Sequence, residues 1–321
     1  MSKLQTKRKL LIICGPTATG KTKLGIFLAQ KFNGEIISAD SRQVYKFMDV
    51  GTGKEWGDIT TGEASVHIHG YDLVDPKDNF SVFEYLKFVR KTLEDIWNRG
   101  KLPILVGGTG LYIKAVVEGI DTLNIPKNLS LRKSLEEKSV SELYEKLATL
   151  DSSKAASMNI SDKNNPRRLI RAIEIAIWKM SNEQKVSKPK KGLSLLNTLY
   201  IGLNYPTDQI SSLITSRVEK RIEMGFIDEV EDLLKMGVSW KMQSMNALGY
   251  KEAEGFFKNG LTYEEFVEKW IESEINYVKR QLTWFKKEKQ INWFDLTKQG
   301  ELLKLEKLVE RWDNSNNDTK S

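Results

Sequence analysis

The stretch Gly15-Pro-Thr-Ala-Thr-Gly20-Lys21-Thr22 satisfies the pattern G-x-x-x-x-G-K-[ST] at every required position. It follows directly on an almost continuously apolar run, Lys9 to Cys14, and precedes an apolar-periodic stretch closing at Asn33-Gly34. A strand, a tight loop and a helix are therefore expected in that order. Gly15 and Gly20 allow the backbone to curl through Pro16, Thr17, Ala18 and Thr19 so that its N–H groups converge on phosphate oxygens. The helix start at Lys21 adds the positive end of its dipole, about half a charge. Lys21 brings a full charge, and the Thr22 hydroxyl is suited to Mg²⁺. The competing reading is a glycine-rich turn with no ligand, against which the matching context on both sides weighs. The motif predicts a bound di- or triphosphate and says little about the reaction.

The rest of the first 120 residues repeats the alternation. Glu35 to Ala39 reads as a buried strand ending at Asp40, Val66 to Leu73 alternates like a strand, and Pro103 to Val106 is again continuously apolar. Ser81-Val-Phe-Glu84 forms a capping box opening an amphipathic helix through Trp97, and Thr109 to Glu118 resumes a helical pattern. Strands alternating with helices imply parallel pairing, so the expected fold is α/β, a P-loop NTPase-like parallel sheet flanked by helices. From residue 121 to 194 strand signals vanish and short charged helical segments take over, ending in Lys185, Lys188, Lys190 and Lys191. This is expected to be a helical insertion domain. Residues 195–312 return to the core through a strand at Asn197 to Leu203, a long helix from Thr262 to about Lys289 and a short strand at Ile291 to Phe294. Residues 313–321 read as a polar, disordered tail.

A typical P-loop NTPase also carries a strand ending in an Asp for Mg²⁺. Here the Pro103 to Val106 strand runs into Gly107-Gly108-Thr109, with no acid. Asp40 is the obvious carboxylate near the carboxyl edge of the sheet, where ligands of open α/β folds bind. This argues against a motor or GTPase and for a group transferase. Fifty Lys and Arg against forty-three Asp and Glu give a formal charge of +7, a mild tilt towards polyanionic partners. No apolar run approaches a membrane span, and a single cysteine excludes an internal disulfide and a cysteine-based zinc site. A cytoplasmic monomer is expected. His67 and His69 lack an apparent third ligand and read as structural, and Cys14 reads as a core residue.

More specific segments follow. Ser38-Ala-Asp40-Ser41-Arg42-Gln43-Val44-Tyr45, Met48-Asp-Val-Gly51-Thr52-Gly53-Lys54 and Gly107-Gly108-Thr109-Gly110-Leu111-Tyr112 resemble signatures of the tRNA dimethylallyltransferases. So do Asp72-Leu-Val-Asp75-Pro76, Asn165-Pro-Arg-Arg168-Leu-Ile-Arg171, Arg217-Val-Glu-Lys-Arg221, Ala247-Leu-Gly249-Tyr250-Lys251-Glu252 and Lys279-Arg280-Gln281-Leu-Thr-Trp284-Phe. They run in family order over nearly the whole chain, and chance agreement of so many ordered motifs is improbable. The resemblance implies attack of an adenine exocyclic amine on dimethylallyl diphosphate, with diphosphate leaving. It assigns proton acceptance to Asp40, a hydrogen bond near the breaking bond to Thr109, and charge neutralisation to Lys21, Arg221 and Mg²⁺ held by Thr22. Arg217 and Arg221, four apart on one helix face, would clamp the same anion. Taken alone, Asp40 could equally be a helix N-cap, and the two arginines a solvated face paired with Glu219 or Glu223.

For the tRNA anticodon stem-loop, the resemblance implies contacts from Asp40, Ser41, Arg42 and Gln43, from Arg167, Arg168 and Arg171, and from Asn246, Gly249, Tyr250 and Lys251. It adds Lys279, Arg280, Gln281, Trp284 and Lys286, where cations surround possible stacking faces. The alternatives are that Trp284 faces the core and that the arginines brace the insertion through Glu174. Asn165 stands where the family commonly has Asp, and Gly53-Lys54-Glu55 replaces Ala-Lys-Pro; neither change is expected to touch a catalytic group. Without the Cys/His zinc finger of eukaryotic relatives, a bacterial-type enzyme is expected. Rival readings are a relative that prenylates free adenine nucleotides, a small-molecule kinase using ATP, and an RNA-binding scaffold with a vestigial loop.

Overall fold

The structure is a computed structural model that describes residues 8–55, 66–182 and 196–315. It divides into two compact units, one of Met1–Glu118 with Leu193–Ser321 and one of Gly119–Gly192.

The first unit is built on a six-stranded parallel sheet. Its strands are β1 (Arg8–Cys14), β2 (Gly34–Ser38), β3 (Ile68–His69), β4 (Leu102–Gly107), β5 (Leu196–Leu203) and β6 (Ile291–Phe294), in the order β3-β2-β4-β1-β5-β6. β1 lies between β4 and β5, with Ile13 opposite Val106 and Ile201. Leu10 to Cys14 are fully buried, as expected of a strand covered on both faces. Each such aliphatic side chain contributes roughly 1.5–3 kcal/mol on leaving water. The α/β reading therefore holds, with one shortening. The run Val66 to Leu73 pairs only at Ile68 and His69, because the backbone turns left-handed at Gly70 (φ 101°) and Asp72 (φ 54°). The rings of His67 and His69 lie 4.1 Å apart, and His69 Nε2 is 2.7 Å from Glu35 Oε2.

The helices α1 (Lys21–Lys31), α2 (Val82–Asn98) and α3 (Gly110–Val117) connect the early strands. α2 begins at the expected capping box, in which Ser81 and Glu84 satisfy each other's backbone N–H groups. In the second unit, α4 (Leu129–Glu136), α5 (Val140–Leu150), α6 (Ser152–Ser157), α7 (Ile160–Lys163) and α8 (Pro166–Ser181) enclose their own core around Leu143, Leu147, Leu169 and Ile173. Asn165 caps α8, accepting from Arg168 N at 3.2 Å with Pro166 following. Asn caps as well as Asp, so the departure at this position costs the helix nothing.

The first unit is completed by α9 (Thr207–Glu223), α10 (Phe226–Lys235), α11 (Tyr250–Phe257), α12 (Tyr263–Phe285) and α13 (Glu301–Asn314). Asp313 and Asn314, expected in the tail, instead form the last turn of α13. There Lys9 reaches Asp313 at 3.1 Å and Trp312 donates to Asn197 at 2.9 Å. The Lys185, Lys188, Lys190 and Lys191 run and residues 316–321 lie outside the described residues.

Candidate active site

The phosphate-binding motif occupies the turn from β1 into α1. Gly15 has φ 134°, and a Cβ there would run into the backbone carbonyl of Leu203, so no other residue fits. Gly20, with φ 78°, caps α1. The loop is held from several sides. Thr19 Oγ1 donates to Pro16 O at 2.9 Å, Lys21 Nζ rests on the same carbonyl, and Arg217 Nη1 donates to Thr17 Oγ1. Burial lowers the Lys21 ammonium to a pKa of about 8, helped by the nearby charge of Arg217 and opposed by Asp40.

Gln281 of α12 belongs to this scaffold. It accepts from Thr17 N at 2.9 Å through Oε1 and donates to Gly108 O at 3.0 Å through Nε2. It is 5% exposed, so the glutamine expected on the RNA surface instead ties the phosphate loop to the turn after β4.

Beside the loop lies a cavity of about 250 Å³. Thr17 forms one wall, and Asp40, Ser41 and Arg42, after β2, form the next. Arg217 and Arg221 of α9 supply cations, and Glu274, Tyr277 and Arg280 enter from α12 at a spacing that keeps them on one helix face. Asp40 is not a helix cap: its Oδ1 accepts from Arg42 N at 2.8 Å, fixing an Asx-type turn. Thr109 Oγ1 accepts from Ser41 N at 3.1 Å, and burial pushes the Tyr277 hydroxyl up to about 12.

The two guanidinium groups differ. Arg217 is half-buried, sits on the phosphate loop and has no carboxylate partner among the described residues. Arg221 is 6% exposed and pairs with Glu274 at 3.1 Å, not with Glu219 or Glu223. Burial lowers Arg221 to about 10, with the Arg217 charge next in weight and Glu274 opposing. Both groups flank Gly53 (φ 65°), where a Cβ would lie 2.6 Å from Arg221 Nη2 and 3.1 Å from Arg217 Nη2. The Gly53 departure therefore does touch expected catalytic groups, contrary to the sequence-based expectation. Its neighbour Lys54 is buried, donating to Tyr45 O, Asp49 and Asp72 at 2.5–2.7 Å.

The loop carrying Gly51 to Gly53 is pinned by a residue the sequence did not single out. Glu229 of α10 accepts from the N–H groups of Asp49, Val50 and Gly51 at 2.6, 2.7 and 3.0 Å, and from the Tyr250 hydroxyl at 2.5 Å. Tyr250 is fully buried, and Gly249 (φ 86°) packs on Trp270, so both brace the core rather than offer a surface. Gln43 also turns inward, donating to Thr52 O and Gly53 O.

Other residues expected on the RNA side are exposed: Asn246, Lys251, Lys279, Arg280 and Lys286, together with Trp284 at 46% exposure. Trp284 lies edge-on against Gly110 without entering the core. In the second unit Arg167 is exposed and Arg168 pairs with Asp162. Arg171 instead braces that unit, binding Glu174 and donating to Thr122 O and Ile125 O at 2.8 and 3.0 Å.

No group of three or more His, Cys, Asp or Glu suited to a metal occurs among the described residues. Thr22, the residue expected to hold Mg²⁺, is half-buried in the first turn of α1.

Comparison with known proteins places this geometry. Residues 43–288 match the model of the IPP transferase family. The chain is 40% identical over 289 residues to the tRNA dimethylallyltransferase of Anoxybacillus flavithermus, covering 90% of this chain and 91% of the relative. Against the Bacillus subtilis protein of the same name it is 40% identical over 297 residues, covering 91% and 92%. Among solved structures, the Bacillus halodurans tRNA isopentenylpyrophosphate transferase aligns with a TM-score of 0.72 at 34% identity, over 98% and 99% of the two chains. A eukaryotic dimethylallyltransferase solved acting on tRNA aligns with a TM-score of 0.78 at 25% identity, over 97% and 80%. With its sheet order, phosphate loop and cavity carried on a sequence this similar from end to end, the chain belongs to the IPP transferase family.

Proposed function

We propose that this chain transfers a dimethylallyl group from dimethylallyl diphosphate to the exocyclic amine of the adenine 3′ of the anticodon in tRNA, releasing diphosphate. The observation that carries the reading is the meeting of a phosphate loop, two guanidinium groups and Asp40 around one cavity. The relatives named tRNA dimethylallyltransferase support it.

In this reading the loop from Gly15 to Thr22 cradles the diphosphate, and the reaction is a substitution at the allylic carbon. The amine nitrogen forms the new C–N bond while the C–O bond to diphosphate breaks, and the amine's surplus proton passes to Asp40. The amine is a poor nucleophile because its lone pair is delocalised into the ring, so a positioned carboxylate matters. Charge accumulating on the leaving oxygen is met by Lys21, Arg221 and Arg217, with Thr109 near the breaking bond. When bound beside Thr22, Mg²⁺ supplies further neutralisation of the diphosphate.

An unpaired loop base leaves its stack at lower cost than a paired one, which suits an anticodon-loop acceptor. Arg42, Arg280, Lys279, Lys286 and Lys251 would neutralise RNA phosphates, Trp284 offers a stacking face, and Arg167 and Arg168 extend the contact from the insertion. A single buried cysteine accords with the reducing cytoplasm.

The test is incubation of the protein with dimethylallyl diphosphate, Mg²⁺ and an unmodified anticodon stem-loop, followed by nuclease digestion and mass spectrometry. One dimethylallylated adenosine at the expected loop position is predicted. Modification elsewhere, or none, overturns the assignment.

A further inference from the structure

Arg221 and Glu274 form an ion pair in the cavity wall, with N···O at 3.1 Å and side chains 7% and 6% exposed. The guanidinium of Arg217 stands beside that of Arg221 across Gly53. Two like charges so close repel, and a cation left buried without a partner carries a large desolvation penalty. Glu274 removes both difficulties while the cavity is empty. All three side chains line the same space as Asp40 and Thr17. An anion entering that space brings several negative charges to the guanidinium groups and meets Glu274 as a like-charged competitor.

We infer that Glu274 is a built-in counter-anion of the diphosphate clamp, which holds Arg221 in place in the empty site and weakens the clamp's grip so that diphosphate can leave. The idea deepens the proposed reading of the phosphate loop and rests on it. It makes Glu274 a positioning residue acting through Arg221, and it requires no contact between Glu274 and substrate. It also gives Arg221 a different part from Arg217, which donates to Thr17 Oγ1 and has no carboxylate partner among the described residues.

The prediction has an unusual sign: removing a buried partner should improve ligand binding. Calorimetric titration of the full-length protein with inorganic diphosphate and Mg²⁺ reads it directly. Glu274→Gln should tighten the diphosphate Kd by roughly tenfold or more, since one unit charge at an effective dielectric near 20 is already worth a factor of ten at about 12 Å. Arg221→Gln should weaken it by about as much. The double variant Arg221→Gln/Glu274→Gln, which restores the net charge, should return to within about threefold of the parent. A residue that merely braces the fold predicts the opposite pattern, with Glu274→Gln equal to or weaker than the parent and no recovery in the double variant.

Failure of the two readings is distinguishable. A parent protein that binds no diphosphate overturns the phosphate-loop assignment and this inference together. A parent that binds, with Glu274→Gln no tighter, overturns the counter-anion alone. Should Glu274→Gln not fold, the single Arg221→Gln against the double variant decides: the double must bind more tightly, and equal or weaker binding overturns the inference.

Discussion

At Asp40 one carboxylate oxygen accepts from Arg42 N, which fixes the side chain, and the proposed role as proton acceptor falls to the other oxygen. The variant Asp40→Asn keeps the shape and removes the basicity. It should cut single-turnover prenyl transfer by roughly 10²-fold or more while tRNA affinity stays close to the parent's, as expected for loss of a general base. Unchanged turnover would remove Asp40 from the proton path. Lys21 permits a second prediction. Its pKa of about 8 in the folded protein lies below its ordinary value of 10.5, so between these pH values the unfolded chain binds more protons and stability rises with pH. An anion bound at the loop favours the charged ammonium and raises that pKa again. Diphosphate binding near pH 8.5 should therefore take up a proton at Lys21, detected as a buffer-dependent calorimetric enthalpy. The Lys21→Met variant separates this uptake from the proton equilibria of diphosphate itself, and an identical proton count in parent and variant would contradict the assignment.

Among the elements, α12 has the largest share of the site. It places Glu274, Tyr277 and Arg280 at the cavity and Gln281 between the phosphate loop and Gly108. Its start was legible, because Thr262 and Glu265 form a capping box. β1, the phosphate loop and α1 were equally legible, since their signals are contiguous. The task of Gln281 was not, because its partner Thr17 lies 264 residues away and nothing local records that bond. Glu229 left no trace for the same reason: a carboxylate on an exposed-looking helix reads as solvated until the loop that binds it is folded against it. The chain order of the motifs pointed to Asp40, Thr109 and Arg217 and left open that arginines brace the insertion through Glu174, as Arg171 does, but it could not show that Tyr250 is spent on internal bracing. Glu229→Ala leaves three backbone N–H groups without their acceptor and should cost about 2–4 kcal/mol. Thermal unfolding would then shift down by several degrees, roughly 2–4 °C per kcal/mol. A melting temperature within about one degree of the parent's would mean that water replaces the carboxylate without loss.

Over the molecule as a whole, the formal charge of +7 gains meaning from where its cations stand. Lys279, Arg280, Lys286 and Lys287 are all exposed along the second half of α12 and just beyond it, the helix that also lines the cavity. A polyanion lying along that end would be led to the acceptor site by the helix that lines it. Replacing Lys286 and Lys287 by Gln should weaken tRNA binding and reduce its dependence on salt by about one unit of log–log slope per lost phosphate contact. An unaltered slope would place the RNA elsewhere.

In the proposed reaction the loop holds a leaving diphosphate and the acceptor is an RNA adenine. Its most direct test supplies dimethylallyl diphosphate labelled in both the prenyl and the phosphate moieties, with Mg²⁺, unmodified tRNA, AMP and ATP in one reaction. Prenyl label in tRNA and released labelled diphosphate are expected in equal amounts, with AMP unlabelled and ATP unconsumed. Prenyl label in AMP, or consumption of ATP with no label in tRNA, would contradict that reaction.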